Sequence, residues 1–283
     1  MTKTTDTALA DGDLHRPASA ALTPADIDRF GPDPQRSFAA NLAEVEARVA
    51  AACARAGRAR GEVRLLPVTK TLPAQVMRLA YAAGIREFGE NKLQEAQTKA
   101  AELADLDARW CIIGHLQSNK AKYLARFAAE FHALDSLKLA AELDRRMAAE
   151  GRDLPVWVQV NTSKEESKFG LTPEALPGFL DALGDYPRLR PQGLMTLAVF
   201  SPDPARVRPC FQLLRRLRDA AQTSHPAITG LSMGMSGDYE LAIAEGATVV
   251  RVGQSIFGKR PGSDAHYWPG LIPAPPSERE QGR

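Results

Sequence analysis

The sequence predicts a single (β/α)8 barrel, and three observations carry that prediction. Eight short apolar, β-prone runs alternate with stretches of helical periodicity. The runs are apolar nearly throughout, as strands covered on both faces of a parallel sheet are. Eight β-α repeats are the number that closes a barrel, and 283 residues leave room for one of ~250 residues plus tails. An open doubly wound sheet is the competing arrangement.

The first run, 63–68, follows a helical stretch over about 38–56 that stands outside the repeat as an extra N-terminal helix. Before the second run, 86–88, Val76, Leu79, Ala80 and Ala83 share one helical face, and Gly84 is placed to end that helix. Leu93, Ala96, Ala100 and Leu103 repeat the pattern ahead of the third run, 110–113. The fourth, 131–134, is followed by Leu139, Leu143 and Met147, with Gly151 as a C-cap signal. After the fifth, 156–160, Thr172-Pro173 has the N-cap and first-residue pattern for a helix carrying Leu176, Phe179, Leu180 and Leu183. The sixth, 192–197, precedes a stripe of Phe211, Leu214 and Leu217, and runs at 230–232 and 248–252 complete the series.

Residues 1–36 hold four prolines and no sustained periodicity, although 23–30 can form a short helix; 261–283 hold five prolines and end in SEREQGR. Both read as flexible tails that contribute no core, which leaves 37–260 as the one folded domain. Lys+Arg 36 against Asp+Glu 34 gives +2, too balanced to argue for nucleic acid or an anionic membrane as partner. No run approaches the ~18 apolar residues of a membrane span. The first residues lack a signal-peptide core, so a soluble cytoplasmic protein is expected. Cys53, Cys111 and Cys210 lie far apart, and His15, His115, His132, His225 and His266 show no metal spacing. Neither a disulfide framework nor a metal site is expected. His132 alternates with apolar neighbours and reads as a hydrogen-bonded barrel histidine.

In a (β/α)8 barrel the chemistry sits where the loops leave the C-terminal ends of the strands. Reading those ends in order gives Lys70, Asn91, His115, Asp135, Asn161, Thr196, Ser236 and Arg251-Val-Gly253. Lys70 directly ends an apolar strand; a lysine in a partly desolvated site loses some preference for its charged form and can attack a carbonyl as a free amine. Position alone is equally compatible with a rim lysine whose stem runs along the surface. The segment from Met233 to Gly237 and the turn Gly253-Gln254-Ser255 each lead into a helix, so the amides of Gly237 and Asp238 and those of the second turn, with Ser236, suit an anion such as a phosphate. As plain turns they would need only glycine and an N-cap serine. Gly253 to Arg260 nearly matches the phosphate loop G-x-x-x-x-G-K-[ST], but Arg260 replaces the magnesium-holding hydroxyl.

The motifs at successive strand ends are Pro67-Val-Thr-Lys70-Thr, Phe88-Gly-Glu-Asn91-Lys-Leu-Gln-Glu-Ala96 and Ile113-Gly-His-Leu-Gln117-Ser-Asn119-Lys120. They continue with His132-Ala-Leu-Asp135-Ser, Gln159-Val-Asn161 with Lys168-Phe-Gly170, Gly193-Leu-Met195 and the C-terminal signature. Together, over about 38–260, they resemble the pyridoxal 5′-phosphate homeostasis proteins, whose fold is similar to the N-terminal barrel of alanine racemase. The resemblance implies that Lys70 holds pyridoxal 5′-phosphate covalently as a Schiff base. It implies that Ser236, Gly237, Gly253 and Gln254 take the phosphate, that Arg251 faces the pyridine nitrogen, and that Asn91 and Met195 lie near the ring. Ala133 stands where a small hydroxyl residue is frequent, and Gln254 is bulkier than the usual residue.

An arginine opposite the ring nitrogen accepts no proton from it and so favours an unprotonated pyridine, a weak electron sink. Racemases of the related fold tolerate this but carry a second, β-rich domain with a catalytic tyrosine, and the 32 residues after Arg251 are not expected to supply one. The resemblance therefore implies a non-catalytic carrier that buffers pyridoxal phosphate and supplies it to apo-enzymes, as a monomer or weak dimer. Lys120 and Lys168 offer a weaker second phosphate contact or are solvated surface charge. The alternatives are an amino-acid racemase or lyase using Lys70 as base, a Schiff-base aldolase without cofactor, and a nucleotide binder.

Overall fold

The computed structural model describes residues 21–165 and 168–259. Eight parallel strands form the core: β1 Arg64–Pro67, β2 Glu87–Glu90, β3 Arg109–Ile112, β4 Glu130–Leu134, β5 Leu154–Gln159, β6 Leu189–Met195, β7 Gly230–Ser232 and β8 Val249–Val252. Their order is β1-β8-β7-β6-β5-β4-β3-β2. The two ends of that order meet at one bridge, Val68 with Gly89, where the Thr69 amide donates to the Gly89 carbonyl at 2.9 Å. The barrel therefore closes through a thin seam immediately before Lys70. Gly230 makes room inside it: a Cβ there would lie 2.4 Å from the Trp157 ring, which stacks on His132 at 5.1 Å.

Helices α3 Ala74–Ala82, α4 Leu93–Glu102, α5 Ala121–Leu124, α6 Leu137–Ala149, α7 Leu176–Leu183, α8 Pro204–Ala221 and α9 Tyr239–Ala244 connect successive strands. Among the described residues, β8 is followed by a single turn, α10 Gln254–Phe257. That would leave β8 and β1 poorly covered. The 22-residue helix α2, Pro34–Arg55, fills the gap, packing against α3, α9 and α10. Phe38 meets the Phe257 ring edge-on at 5.2 Å, and the Asn41 side-chain amide donates to the Ile256 carbonyl at 2.9 Å. The helix expected as an addition to the barrel thus completes its outer wall.

The N-terminal boundary at residue 37 needs correction. Helix α1, Pro24–Phe30, is closed by a capping box between Thr23 and Asp26. Phe30 is buried against Phe38 with ring centroids 5.9 Å apart, and Pro34, capped by Asp33, begins α2. Residues 24–36 thus contribute to the core. Residues 1–20 and the tail 261–283 lie outside the described residues. Two strands also differ from the apolar runs. β2 continues through Glu90 because Lys99 and Thr69 meet its carboxylate inside the wall, at 2.9 and 2.6 Å. β6 starts early, at Leu189, with Arg190 and Gln192 on its exposed side. No described helix is long and apolar enough to cross a membrane.

Candidate functional site

Lys70 is half-buried at the C-terminal end of β1. β1 pairs with β8 in the register Leu66 to Arg251 and Pro67 to Val252, and the Val68 amide donates to the Val252 carbonyl at 2.9 Å. A Cβ on Gly253 would lie 3.0 Å from the Val68 carbonyl oxygen, so the loop after β8 presses against the strand end that carries the lysine. The Gly253 amide in turn donates to the Ser236 hydroxyl at 3.3 Å, which ties in the loop after β7. Lys70, Arg251, Ser236 and Gly253 therefore converge on one corner of the barrel mouth.

Sequence reasoning expects both Gly237 and Asp238 to offer amides there. In the structure the Asp238 amide is already engaged, which leaves that of Gly237. The Asp238 amide donates to the Met235 carbonyl at 3.0 Å, while its carboxylate accepts from the Met235 amide at 2.6 Å. Burial pushes the Asp238 carboxyl upward, opposed by that amide and by Arg251. After β8, the first amides used within the helix are those of Ile256 and Phe257, both donating to the Gly253 carbonyl. The amides of Gln254 and Ser255 precede them, so Gln254 can contribute through its backbone. A cavity of about 220 Å3 that touches Ser236 and Gly237 is otherwise lined by Arg48 and the beginnings of α8 and α9, and includes neither Lys70, Arg251 nor Gly253.

Arg251 is only 3% exposed, and its partners are neutral. Nη1 donates to the Ser232 hydroxyl at 2.7 Å and Nη2 to the Thr196 carbonyl at 2.8 Å; among the described residues no carboxylate pairs with it. Burial lowers it to about 10, which leaves it a cation at neutral pH. Its orientation is fixed from below. Burial lowers His132 to about 4, so the imidazole is neutral. His132 Nε2 lies 3.0 Å from Glu130, an ionised carboxylate that can only accept, so the proton sits on Nε2. Nδ1 must then accept from the Ser232 hydroxyl at 3.0 Å, which leaves the Ser232 oxygen to accept from Arg251. Every donor in the chain points toward Glu130. Sequence reasoning identifies His132 as structural but misses the partners; the alternation of Glu130 and His132 on one face of β4 is the signal it had.

Glu130 closes the chain at the opposite end of the barrel. Burial alone would raise its carboxyl, yet hydrogen bonds from Arg64 at 2.7 and 2.6 Å and from His132 hold it well below the usual carboxylate range. Arg109 adds a contact at 3.0 Å. Glu87, Cys111 and Glu130 are the one metal-type grouping among the described residues. Burial pushes the Cys111 thiol up, so it is not a thiolate, and Glu130 is committed to arginine. This is a structural ion network.

The remaining strand-end residues lie on the same rim in different roles. Asn91 is half-buried after β2, and Gly114 is packed so closely on it that a Cβ would fall 2.0 Å from the Asn91 carbonyl oxygen. Met195 is wholly buried in the core at the end of β6, adjoining the Thr196 carbonyl that holds Arg251. His115 Nδ1 lies 3.4 Å from Asp135 and its ring stacks on Phe169 at 3.8 Å. Asn161 ties its own loop through the Glu165 carbonyl at 2.9 Å. Lys168 donates to the Ala198 carbonyl at 2.7 Å and pairs with Glu165, while the Lys120 ammonium lies 5.9 Å from the Tyr123 ring centroid.

The model of the alanine racemase N-terminal domain family matches residues 40–261. A pyridoxal phosphate homeostasis protein of Pseudomonas aeruginosa is 45% identical over 225 residues, covering 79% of this chain and 96% of that protein. Another of that name from Aquifex aeolicus is 42% identical over 220 residues, 77% and 96% of the two chains. Among solved structures, PipY of Synechococcus elongatus with pyridoxal phosphate bound is 38% identical with a TM-score of 0.69, covering 78% of this chain and all of that one. An alanine racemase of Corynebacterium glutamicum, 17% identical with a TM-score of 0.59 over 84% of this chain and 64% of that one, shares the fold. With the lysine, arginine and loop amides gathered at one corner of an eight-stranded barrel, the chain belongs to the pyridoxal phosphate homeostasis protein family, built on the alanine racemase N-terminal barrel.

Proposed function

We propose that the protein is a cytoplasmic carrier that holds pyridoxal 5′-phosphate reversibly on Lys70 and gives it up to apo-enzymes without turning over amino acids. When bound, this group supplies an aldehyde that condenses with a primary amine to a Schiff base with loss of water, and hydrolysis returns both partners. The donor set of the mouth fits it. The amides of Gly237, Gln254 and Ser255, with the Ser236 hydroxyl, offer donors to the phosphate. Arg251, a donor-only cation with two neutral partners, can hydrogen-bond a pyridine nitrogen only in its unprotonated form. Asn91 and Lys70 each lie two residues beyond the Val68–Gly89 bridge, and Met195 immediately precedes Thr196, whose carbonyl accepts from Arg251.

The non-catalytic reading rests on the names of the relatives, and Arg251, an arrangement that racemases of the related fold tolerate, agrees with it. Fixed by Ser232 and the Thr196 carbonyl, Arg251 would meet the ring nitrogen as a hydrogen-bond donor and not as an acid able to protonate it. Without that proton the ring draws little electron density from a bonded amino acid. The names of the relatives agree with a handling role, and a monomer or weak dimer suffices for it. Loaded protein mixed with an apo-enzyme of the pyridoxal phosphate class tests the reading. The apo-enzyme should gain activity, while common amino acids incubated with the loaded protein alone should keep their configuration and carbon skeleton. Racemisation or cleavage that disappears in Lys70→Ala would replace the carrier with an enzyme.

A further inference from the structure

Beyond β1 the chain makes a four-residue turn, 69–72, closed by the Leu72 amide donating to the Thr69 carbonyl at 3.0 Å. Lys70 and Thr71 are its central residues. Thr71 has φ 69°, and among the described non-glycine residues only Lys164 shares a positive φ. A positive φ at the third position, without one at the second, is the type II pattern, which favours glycine there. A β-branched residue suits it poorly. Flipping the peptide between Lys70 and Thr71 gives the type I turn, in which Thr71 has an ordinary negative φ and the Lys70 carbonyl faces the other way. Some contact has to hold the less favourable form.

Arg29 provides it from 42 residues earlier in the chain. Its Nη1 donates to the Thr71 carbonyl at 2.8 Å and its Nη2 to the Thr71 hydroxyl at 2.9 Å. One planar fork thus fixes the backbone and the side chain of the same residue in a single orientation, which an ammonium on a flexible stem holds less rigidly. The helix that carries Arg29 is itself anchored. Phe30 packs on Phe38, and the Asp26 carboxylate accepts from Gln75 on α3 at 3.0 Å. α1 therefore grips the β1–α3 connection at Thr71 and again at Gln75. It lies ahead of residue 40, where the match to the family model begins.

We propose that Arg29 is a positioning residue for Lys70, holding turn 69–72 in its type II form, so that undocking α1 weakens the grip on pyridoxal phosphate. This rests on Lys70 being the attachment lysine. The test uses the full chain as parent, Arg29→Ala, Arg29→Lys, Thr71→Gly and the double variant Arg29→Ala/Thr71→Gly. Two readouts are hydrogen exchange across 70–72 in protein free of pyridoxal phosphate, and affinity for pyridoxal phosphate from its visible absorption. Arg29→Ala should exchange faster and bind roughly tenfold more weakly, the scale of one strained residue. Arg29→Lys should fall between it and the parent. Thr71→Gly should bind as the parent does, and the double variant should recover parental affinity, because glycine takes the positive φ unaided. Arg29→Ala binding like the parent, or a double variant as weak as Arg29→Ala, would overturn the proposal. Should the parent not bind pyridoxal phosphate, the carrier reading fails by itself. Exchange then decides the clamp: faster in Arg29→Ala and restored in the double variant upholds it, and no change sinks it.

Discussion

The two ends of the barrel handle buried charge in opposite ways. At the N-terminal end Glu130 sits among Arg64, Arg109 and a neutral His132, and a second acid, Glu87, shares the arginines. At the mouth, Arg251 is buried with a hydroxyl and a carbonyl for company. A charge matched inside the protein is part of the scaffold; a buried cation with neutral partners favours electron-rich or anionic groups arriving from outside. The hydrogen-bond chain through His132 and Ser232 joins the two, so the closed end orients the open one.

The largest effect on stability should come from Glu130→Gln, which leaves Arg64 and His132 without their carboxylate. We expect a loss of about 3 kcal/mol in urea unfolding, at the low end for a broken buried pair because Arg109 is 56% exposed in its side chain. A loss under about 1 kcal/mol would erase the contrast between the two ends.

The pH dependence of stability sharpens it. His132 is lowered to about 4 when folded against ~6.5 when unfolded, so the unfolded chain takes up its proton first. Its contribution is complete above about pH 6.5 and is lost as pH falls toward 4, on the order of 3 kcal/mol at the limit. Glu130, depressed by its partners, adds a loss in the same direction once pH drops below the ~4.3 of an unfolded glutamate. His132→Phe should flatten the window between pH 6.5 and 4 in a series of thermal melts, whatever its cost at neutral pH. An unchanged profile would mean that His132 takes up its proton in the folded protein over the same pH range as in the unfolded chain.

Ser232→Ala removes the hydroxyl shared by His132 and Arg251, and we expect a cost of about 1–3 kcal/mol together with weaker pyridoxal phosphate binding. Arg251→Met should change stability least, within about 1 kcal/mol, since the desolvation it relieves offsets the loss of its bonds to Ser232 and the Thr196 carbonyl and of its attraction to Asp238. It should nevertheless reduce binding of pyridoxal phosphate. A large loss of stability there would make Arg251 a scaffold residue like Arg64.

The mouth was more legible in the sequence than the structure that supports it. Lys70, Asn91 and Ser236 stand out because each follows an apolar strand, Arg251 because it is a charge inside one, and strand ends converge in a barrel whatever the details of packing. The Gly253–Ser236 contact was legible only as two separate loop motifs, because the 3.3 Å bond depends on how β7 and β8 are staggered. Glu90 hid the end of β2, since a carboxylate reads as a loop until Lys99, nine residues later, is known to meet it. Arg29 was invisible: its role depends on a φ angle at Thr71, and a proline-bearing segment without periodicity reads as a tail.

Attachment of the cofactor to Lys70 is tested by the visible absorption spectrum of the protein with added pyridoxal phosphate, recorded beside Lys70→Ala. A band of lysine-bound pyridoxal phosphate is expected in the parent and none in the variant. An equal band in both would take Lys70 out of the role, and no band in either would contradict the assignment of pyridoxal phosphate to this mouth.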